Sequence, residues 1–452
     1  MDLKSKKIYK LDNGIRVLLL PLDDTKLVNI KLSILLGQNH ETNKTHGITH
    51  YIEHLMAHFT SKKYKNYKII KEKLSKVGAS SNASVSDYKF NIYIYGLYSN
   101  IEMFMDILSN TFKDFYIDDN IFSQEKEAVI NEVTNKYIKT DSYIFYQKMN
   151  KYLYKKNYKI YDYCEDIKLI NSFDKKKIYK FFYEYFIFKN MVLTISFNKK
   201  YTKHINNLVK KYFNFKDKNK KKNIRKIQYP LLFKKNNKLR IINIFNKNIN
   251  LYNNSEIVFT YYDDIKIYSK RWCVLHYISK LLSNFEGPLM DKMRTELGLV
   301  YTINLHIDID EYNSKNTKCT IYSSCIETKL PLFITNLLLL IDNLSKKDLK
   351  NFKNIYNKKL ININEINKNS IFSWQQYENN LLYKQNIINN KKILNIFKNI
   401  TINDLNKELI ILKKNFLNKG MLFYYSNKNY NKIIKENKNS KIFKNAKYSF
   451  IK

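Results

Sequence analysis

Runs of alternating and helically spaced apolar residues divide the chain into elements whose order recurs. After an Asn13-Gly14 turn, Gly14 to Leu20 predicts a strand, and Leu27 to Leu36, with alternating polarity, predicts a second. Apolar residues then return every three to four positions from Gly47 to Phe59, which predicts a helix; a Lys-rich helix follows from Tyr67 to Val77. Ser84 to Tyr95 predicts a strand with Phe90, Ile92 and Ile94 on one face. Helices from Asn100 to Phe115 and from Asp119 to Lys139, a strand near Met191 to Ser196 and a polar helix to Phe213 complete a unit of ordinary domain size. Between 216 and 237 the sequence becomes a run of Lys and Asn around Pro230, the composition of a linker. The order then returns: a strand at Glu256 to Tyr262, a helix at Ile265 to Leu282, a Gly287-Pro288 break and a short helix ending at Gly298. Strands at Leu299 to Ile307 and Thr317 to Cys325 and helices at Leu330 to Leu344 and Lys347 to Asn364 follow. The recurrence predicts two related α+β domains, residues 1–215 and 238–452, each an antiparallel sheet with helices packed on one face.

Composition changes this picture little. A chain of 452 residues with 44% hydrophobic residues has the apolar material for more than one core, which excludes a disordered chain. Abundant Lys, Asn, Ile and Tyr with only 8 Gly and 4 Pro point to an AT-rich coding sequence. The net charge of +40 fits nucleic acid, an acidic surface or acidic substrates, or else simple drift toward Lys codons. No phosphate loop, zinc ribbon or basic-aromatic RNA signature accompanies the charge, so specific nucleic-acid binding is not expected. Cys164, Cys273, Cys319 and Cys325 are too few and too irregular for a disulfide framework; Cys319 and Cys325 share one strand-like stretch and read as reduced thiols. The start, Met1-Asp2-Leu3-Lys4-Ser5-Lys6-Lys7, lacks a signal core or transit-peptide character, and no apolar run is long enough for a transmembrane segment. A cytoplasmic location is expected, with a mitochondrion or a virion as alternatives.

The helix after Gly47 carries the candidate chemistry. Ile48, Tyr51, Ile52, Leu55, Met56 and Phe59 make one apolar stripe. At about 100° per residue, His50, Glu53 and His54 cluster on the opposite face. Two imidazoles four residues apart supply two legs of a tetrahedral zinc site, and the carboxylate between them can deprotonate a water that the metal acidifies. A pair of surface histidines is the alternative, although only 8 His occur in the chain. A third ligand must come from elsewhere. Glu125 and Glu132, seven apart on one face of the helix from Asp119, offer a ligand (Glu132) and a supporting carboxylate (Glu125). Two glutamates on a helix are, taken alone, equally a solvated surface.

His50-Tyr51-Ile52-Glu53-His54, followed by Glu132, resembles the inverted zinc motif of the insulinase/pitrilysin family, which includes the mitochondrial processing peptidases. Asn13-Gly14-Ile15-Arg16-Val17 resembles the family's opening strand. Gly37 to Glu41 resembles its Gly-Ser-x-x-Glu stretch, with Gln38 in place of Ser. The resemblance implies zinc, one ion per chain, on His50, His54 and Glu132, with Glu53 as general base and Glu125 in support. Gly78 to Ala83 is similar to the family's Gly-Gly-x-x-Asn-Ala segment, which leads into an edge strand; Asn82 and Ala83 would there meet a substrate peptide by backbone pairing. Arg294, Gly298, Leu299 and Tyr301 resemble the Arg…Gly-Leu-x-Tyr element, which implies that Arg294 and Tyr301 contact substrate and stabilise the tetrahedral intermediate. The sequence departs from the pattern where the family's Gly-Thr becomes Phe59-Thr60 and where Ser84-Val85 stands for the Thr after Asn-Ala. His58 lies about 40° further round the helix than His54, so Glu132 suits the third ligand better. Nothing from Ser345 to Lys452 carries a quotable match.

The resemblance implies a zinc-dependent endopeptidase cleaving peptides or unfolded polypeptides, working as a homodimer or as a heterodimer with a related chain, with Arg294 and Tyr301 supplied in trans. A non-catalytic structural or partner subunit, a viral morphogenesis protease and a basic nucleic-acid-binding protein are the competing classes.

Overall fold

The computed structural model describes residues 7–138, 141–153, 163–216, 237–247, 254–309, 316–349, 378–383, 395–436 and 441–451. Residues 217–236 of the expected linker and 350–364 of the last expected helix lie outside them.

The chain forms two units that interleave along the sequence, where a single linker near 216–237 implied consecutive ones. The first comprises Met1–Lys139, Asp162–Gln228 and Asn367–Ile387; the second comprises Thr140–Tyr161, Tyr229–Ile366 and Ile388–Lys452.

In the first unit, β1 (Lys7–Lys10), β2 (Arg16–Leu22), β3 (Leu27–Ile34), β4 (Ser80–Val85), β5 (Phe90–Leu97) and β6 (Met191–Asn198) form one sheet in the order β1-β2-β6-β3-β5-β4. The single strand expected over Ser84 to Tyr95 is a hairpin, because polar Ser86 to Lys89 turn the chain and Ser86 N–H donates to the Lys89 carbonyl at 2.8 Å. Helices α1 (Ile48–Met56), α2 (Tyr67–Lys76), α3 (Ile101–Lys113) and α4 (Asp119–Val133) follow in the sequence. After α5 (Asp141–Leu153), which belongs to the second unit, come α6 (Tyr163–Ser172), α7 (Lys175–Tyr185) and α8 (Thr202–Phe213). Val17, Leu19, Ile30, Leu32, Phe90, Ile92, Ile94, Leu193 and Ile195 share a core with Tyr51, Leu55, Phe104, Phe182 and Val209 from these helices.

The other face of this sheet is covered too. Glu378, only 1% exposed, accepts hydrogen bonds from Ser33 Oγ (2.7 Å) and Thr194 Oγ1 (3.1 Å) and pairs with Lys31 (2.7 Å), so the buried carboxylate is satisfied. Arg16 donates to the Leu381 carbonyl beside it.

The second unit repeats the plan. Its strands β7 (Arg240–Phe245), β8 (Asn254–Asp264), β9 (Ile303–Ile309), β10 (Asn316–Ile326), β11 (Met421–Ser426) and β12 (Lys447–Ile451) run in the order β12-β7-β11-β8-β10-β9. Helix α9 (Lys270–Ser283), α10 (Pro288–Met290) with the π-helical turn Asp291–Glu296, α11 (Leu330–Asn343) and α12 (Ile402–Lys419) line one side. Phe145, Met149 and Leu153 of α5 bury the opposite side, against Ile242, Ile244, Val258, Met421 and Phe423.

The α+β class and the recurrence therefore hold, with two refinements. Both sheets are mixed: β2 pairs with β6, and β7 with β11 and β12, in parallel, and the remaining ladders are antiparallel. Both sheets are also covered on two faces: β11 reads as a continuous apolar run, Met-Leu-Phe-Tyr-Tyr, while β6, Met-Val-Leu-Thr-Ile-Ser-Phe, is buried at every one of these positions and turns Thr194 to the buried Glu378.

Cys319 and Cys325 lie in β10 as free buried thiols, and burial pushes both up to about 12; Cys273 is buried and Cys164 exposed. Iodoacetamide should therefore label one thiol per native chain, Cys164, and all four after unfolding, as counted by mass spectrometry.

Candidate metal centre

The position of α1 is set at its first turn. Gly47 takes φ +77° there, and a Cβ at that position would come within 2.8 Å of the Ile170 side chain. The buried carboxylate of Glu41 accepts from Gly47 N–H (3.1 Å), Thr49 N–H (2.9 Å) and the Thr49 hydroxyl (2.6 Å), so it caps the helix and meets the positive end of its dipole. Ile48, Tyr51, Ile52, Leu55 and Met56 are buried, which fixes the helix rotation and turns His50, Glu53 and His54 toward a cavity of about 450 Å³. Phe59 ends the turn after α1 at φ +56°, left-handed backbone that costs a side chain about 1–2 kcal/mol. Burial of its ring, about 1.5–3 kcal/mol, offsets that cost.

Helix α4 supplies the second wall. Asp118 caps it through Asn120 N–H and Ile121 N–H, Ile121, Val129 and Val133 face the core, and the Tyr51 hydroxyl donates to the Phe122 carbonyl. Glu132 Oε2 stands 3.6 Å from His50 Nε2 and 3.4 Å from His54 Nε2. Ligands about 2 Å from one tetrahedral ion lie roughly 3.3 Å apart, close to the two distances from Glu132 Oε2 to the imidazoles. Glu53 shares the compass of 4.8 Å with both histidines, with its Oε2 4.0 Å from His54 Nε2. Its approach to His54 Nε2 is longer than that of Glu132. On the outer side of His54, Glu125 Oε2 accepts from Nδ1 at 2.9 Å and Nε2 faces Glu132; burial pushes the imidazole down, but Glu125, Glu53 and Glu132 outweigh it and raise it above its ordinary value.

The surroundings give three neighbouring carboxylates different characters. Burial raises Glu53 above the ordinary carboxylate range, although His54 pulls it the other way. Hydrogen bonds from His54 and His58 hold Glu125 down to about 2. Burial pushes Glu132 up, but His50, Lys136 and His54 outweigh it and keep the carboxyl low. Burial, with the charge of His54, lowers His50 to about 4, so its imidazole is neutral and free to donate a lone pair. The cavity is lined by Glu53, Glu125, Glu132 and Asp166 against one lysine, Lys136, so its wall does not share the chain's positive excess.

Asn82 and Ala83 lie on β4, the edge strand of the first sheet, and line the same cavity; the Asn82 side chain turns back onto Ala83 N–H. Arg294 and Tyr301 belong to the second unit, where the Arg294 guanidinium lies 4.7 Å from the Tyr301 ring centroid and 5.2 Å from that of Phe285. Tyr301 is 78% and Phe285 64% exposed. Sequence reasoning missed Phe285, whose only signal was an aromatic before the Gly287-Pro288 break. It also missed Lys136, one turn beyond Glu132 and 3.4 Å from its Oε1. The sequence offers His58 only as a rival ligand, whereas its Nε2 bonds Glu125 Oε1 at 2.8 Å.

Residues 16–166 match the family model described as insulinase (peptidase family M16), and residues 172–356 match that described as the peptidase M16 inactive domain. The chain belongs to the M16 insulinase family of peptidases. It is similar to the uncharacterised zinc protease YmxG of Bacillus subtilis, 25% identical over 42% of this chain and 46% of that protein. It is likewise similar to the mitochondrial-processing peptidase subunit beta of Dictyostelium discoideum, 29% identical over 31% of this chain and 30% of that one. The matched stretches thus span less than half of either relative. In fold the chain is similar to a protease from Helicobacter pylori (TM-score 0.73, 17% identity, 93% of this chain and 99% of that one). It is similar also to the periplasmic protease PqqL of Escherichia coli (TM-score 0.71, 15% identity, 94% and 48%).

Two outcomes follow from this geometry. Glu41→Ala removes a buried, charge-assisted helix cap and should destabilise the first unit by at least about 2 kcal/mol in urea unfolding. The carboxyl of Glu125 is held below its ordinary value, so its pairing stabilises the fold fully above pH 4.5 and is lost as pH falls toward about 2. The stability gap between metal-free wild type and Glu125→Gln should accordingly be steady just above pH 4.5 and narrow below it.

Proposed function

We propose that the chain is a zinc-dependent endopeptidase, with His50, His54 and Glu132 as the metal ligands and Glu53 as general base. The observation that carries this reading is the approach of Glu132 Oε2 to both imidazoles, at 3.6 and 3.4 Å. Two imidazole nitrogens and one carboxylate are the donor set of a catalytic zinc site with one position left open. A zinc ion bound there supplies Lewis acidity, which acidifies water and polarises a peptide carbonyl.

The chain's own residues do the rest. Glu53 takes a proton from the attacking water on its carboxylate and returns it to the leaving amine, work suited to a carboxyl raised by burial. The edge of β4, unpaired among the described residues, offers backbone N–H and C=O groups at Asn82 and Ala83, so an extended substrate segment adds as a further strand along the cavity. That mode of binding favours peptides and unfolded polypeptides, whose backbone is free to pair. To Arg294 and Tyr301 we assign substrate contact and stabilisation of the tetrahedral intermediate; the working form is a dimer, of two copies or with a related chain. The acidic lining of the cavity argues against acidic peptides as preferred substrates, despite the +40 of the chain.

Glu53→Gln keeps every proposed ligand and removes only the base. It should bind one zinc per chain like the wild type while cleavage of unfolded casein falls by about 10²–10⁴-fold. Equal cleavage by both proteins, or a wild type without stoichiometric zinc, would remove the proposal.

A further inference from the structure

Glu125 is held at both of its oxygens. Oε2 meets His54 Nδ1 at 2.9 Å and Oε1 meets His58 Nε2 at 2.8 Å. His58 sits in the turn that follows α1, between the helix end and the left-handed Phe59. The ring of Tyr67, at the start of α2, meets the His58 ring edge-to-face with centroids 5.1 Å apart. His58 is thus gripped from two sides and stays partly open to the cavity, whose wall it shares with Glu53, His54 and Glu125.

We propose that His58 is a positioning residue for the metal centre, acting on His54 through Glu125. The inference rests on the reading of His54 as a zinc ligand. The terminal torsion of a glutamate is soft, so a carboxylate bonded at one oxygen swings about that bond. A second N–H on Oε1 removes this freedom and leaves Oε2 aimed along the Nδ1–H of His54. With that hydrogen committed to Glu125, the lone pair of the neutral His54 ring falls on Nε2, which faces Glu132 Oε2 at 3.4 Å. His58 itself is no ligand in this arrangement, because the nitrogen it directs inward is bonded to Glu125. The chain of contacts Tyr67–His58–Glu125–His54 therefore carries the packing of α2 to the metal site.

The test compares wild type, His58→Ala and His58→Gln, with zinc as the probe. Zinc dissociation constants are measured by competition with a chromophoric chelator, alongside melting of the metal-free proteins and kcat and KM on unfolded casein. Gln places an amide N–H near the position of Nε2 and should stay within about threefold of wild type in zinc affinity. Ala should weaken zinc by about tenfold or more, the usual effect of losing such an outer partner, and lower kcat with little change in KM. Zinc affinity and its rescue by Gln are the readouts that a merely structural role would not produce. An Ala variant that binds zinc within about twofold of wild type, or a Gln variant as weak as Ala, overturns the role of His58 while leaving the peptidase reading intact. A wild type that binds no zinc overturns both.

Discussion

The chemistry of the first unit depends on how α1 is held. Its first turn is fixed by the Glu41 carboxylate on two backbone N–H groups and one hydroxyl, and its rotation by a fully buried stripe from Ile48 to Met56. With depth and rotation both set, the three polar residues between the stripe positions have one direction left, into the cavity. Helix α4 obeys the same rule: Ile121, Val129 and Val133 go to the core, which leaves Glu125 and Glu132 on the cavity side. The close approach of His50, His54 and Glu132 is therefore a consequence of core packing, since burying the two apolar stripes brings the two polar faces together.

A second consequence is electrostatic. Three glutamates share a small space, where like charges alone would leave some of them protonated. Imidazole neighbours divide them instead: Glu125 and Glu132 are held ionised, and Glu53, the most desolvated, is raised. One type of side chain thus takes different ionisation character because of where each is placed. The cavity is acidic within a protein of +40, so the lysine excess says little about what binds there. Among the described residues no helix is long and apolar enough to cross a membrane.

Much of this could be read from the residues. The phase of α1 separated His50, Glu53 and His54 from the apolar stripe, and the seven-residue spacing put Glu125 and Glu132 on one face, because helical geometry is local and regular. The recurrence of strands and helices showed through for the same reason. What escaped depended on contacts distant in sequence. Residues 141–153 and 378–383 each join the other unit, and nothing local in α5 distinguishes a helix that packs on Ile242 and Phe423 from one that packs nearby. The parallel partners of β2 and β7 are likewise set by topology. The strand at Met421–Ser426 has no alternation to reveal it, because both of its faces are buried. His58 was legible as a residue one turn past His54; that it would share Glu125 with His54 required the position of α4. Phe59 looked like a departure from the family's glycine, and its left-handed backbone shows a buried ring offsetting the strain.

Anomalous diffraction at the zinc edge reads the proposed ligand set directly. A crystal grown with one equivalent of zinc should show a single peak per chain, bounded by His50 Nε2, His54 Nε2 and Glu132 Oε2, at about 2 Å from each. A peak elsewhere on the chain, or one that Glu132 does not reach, would contradict it.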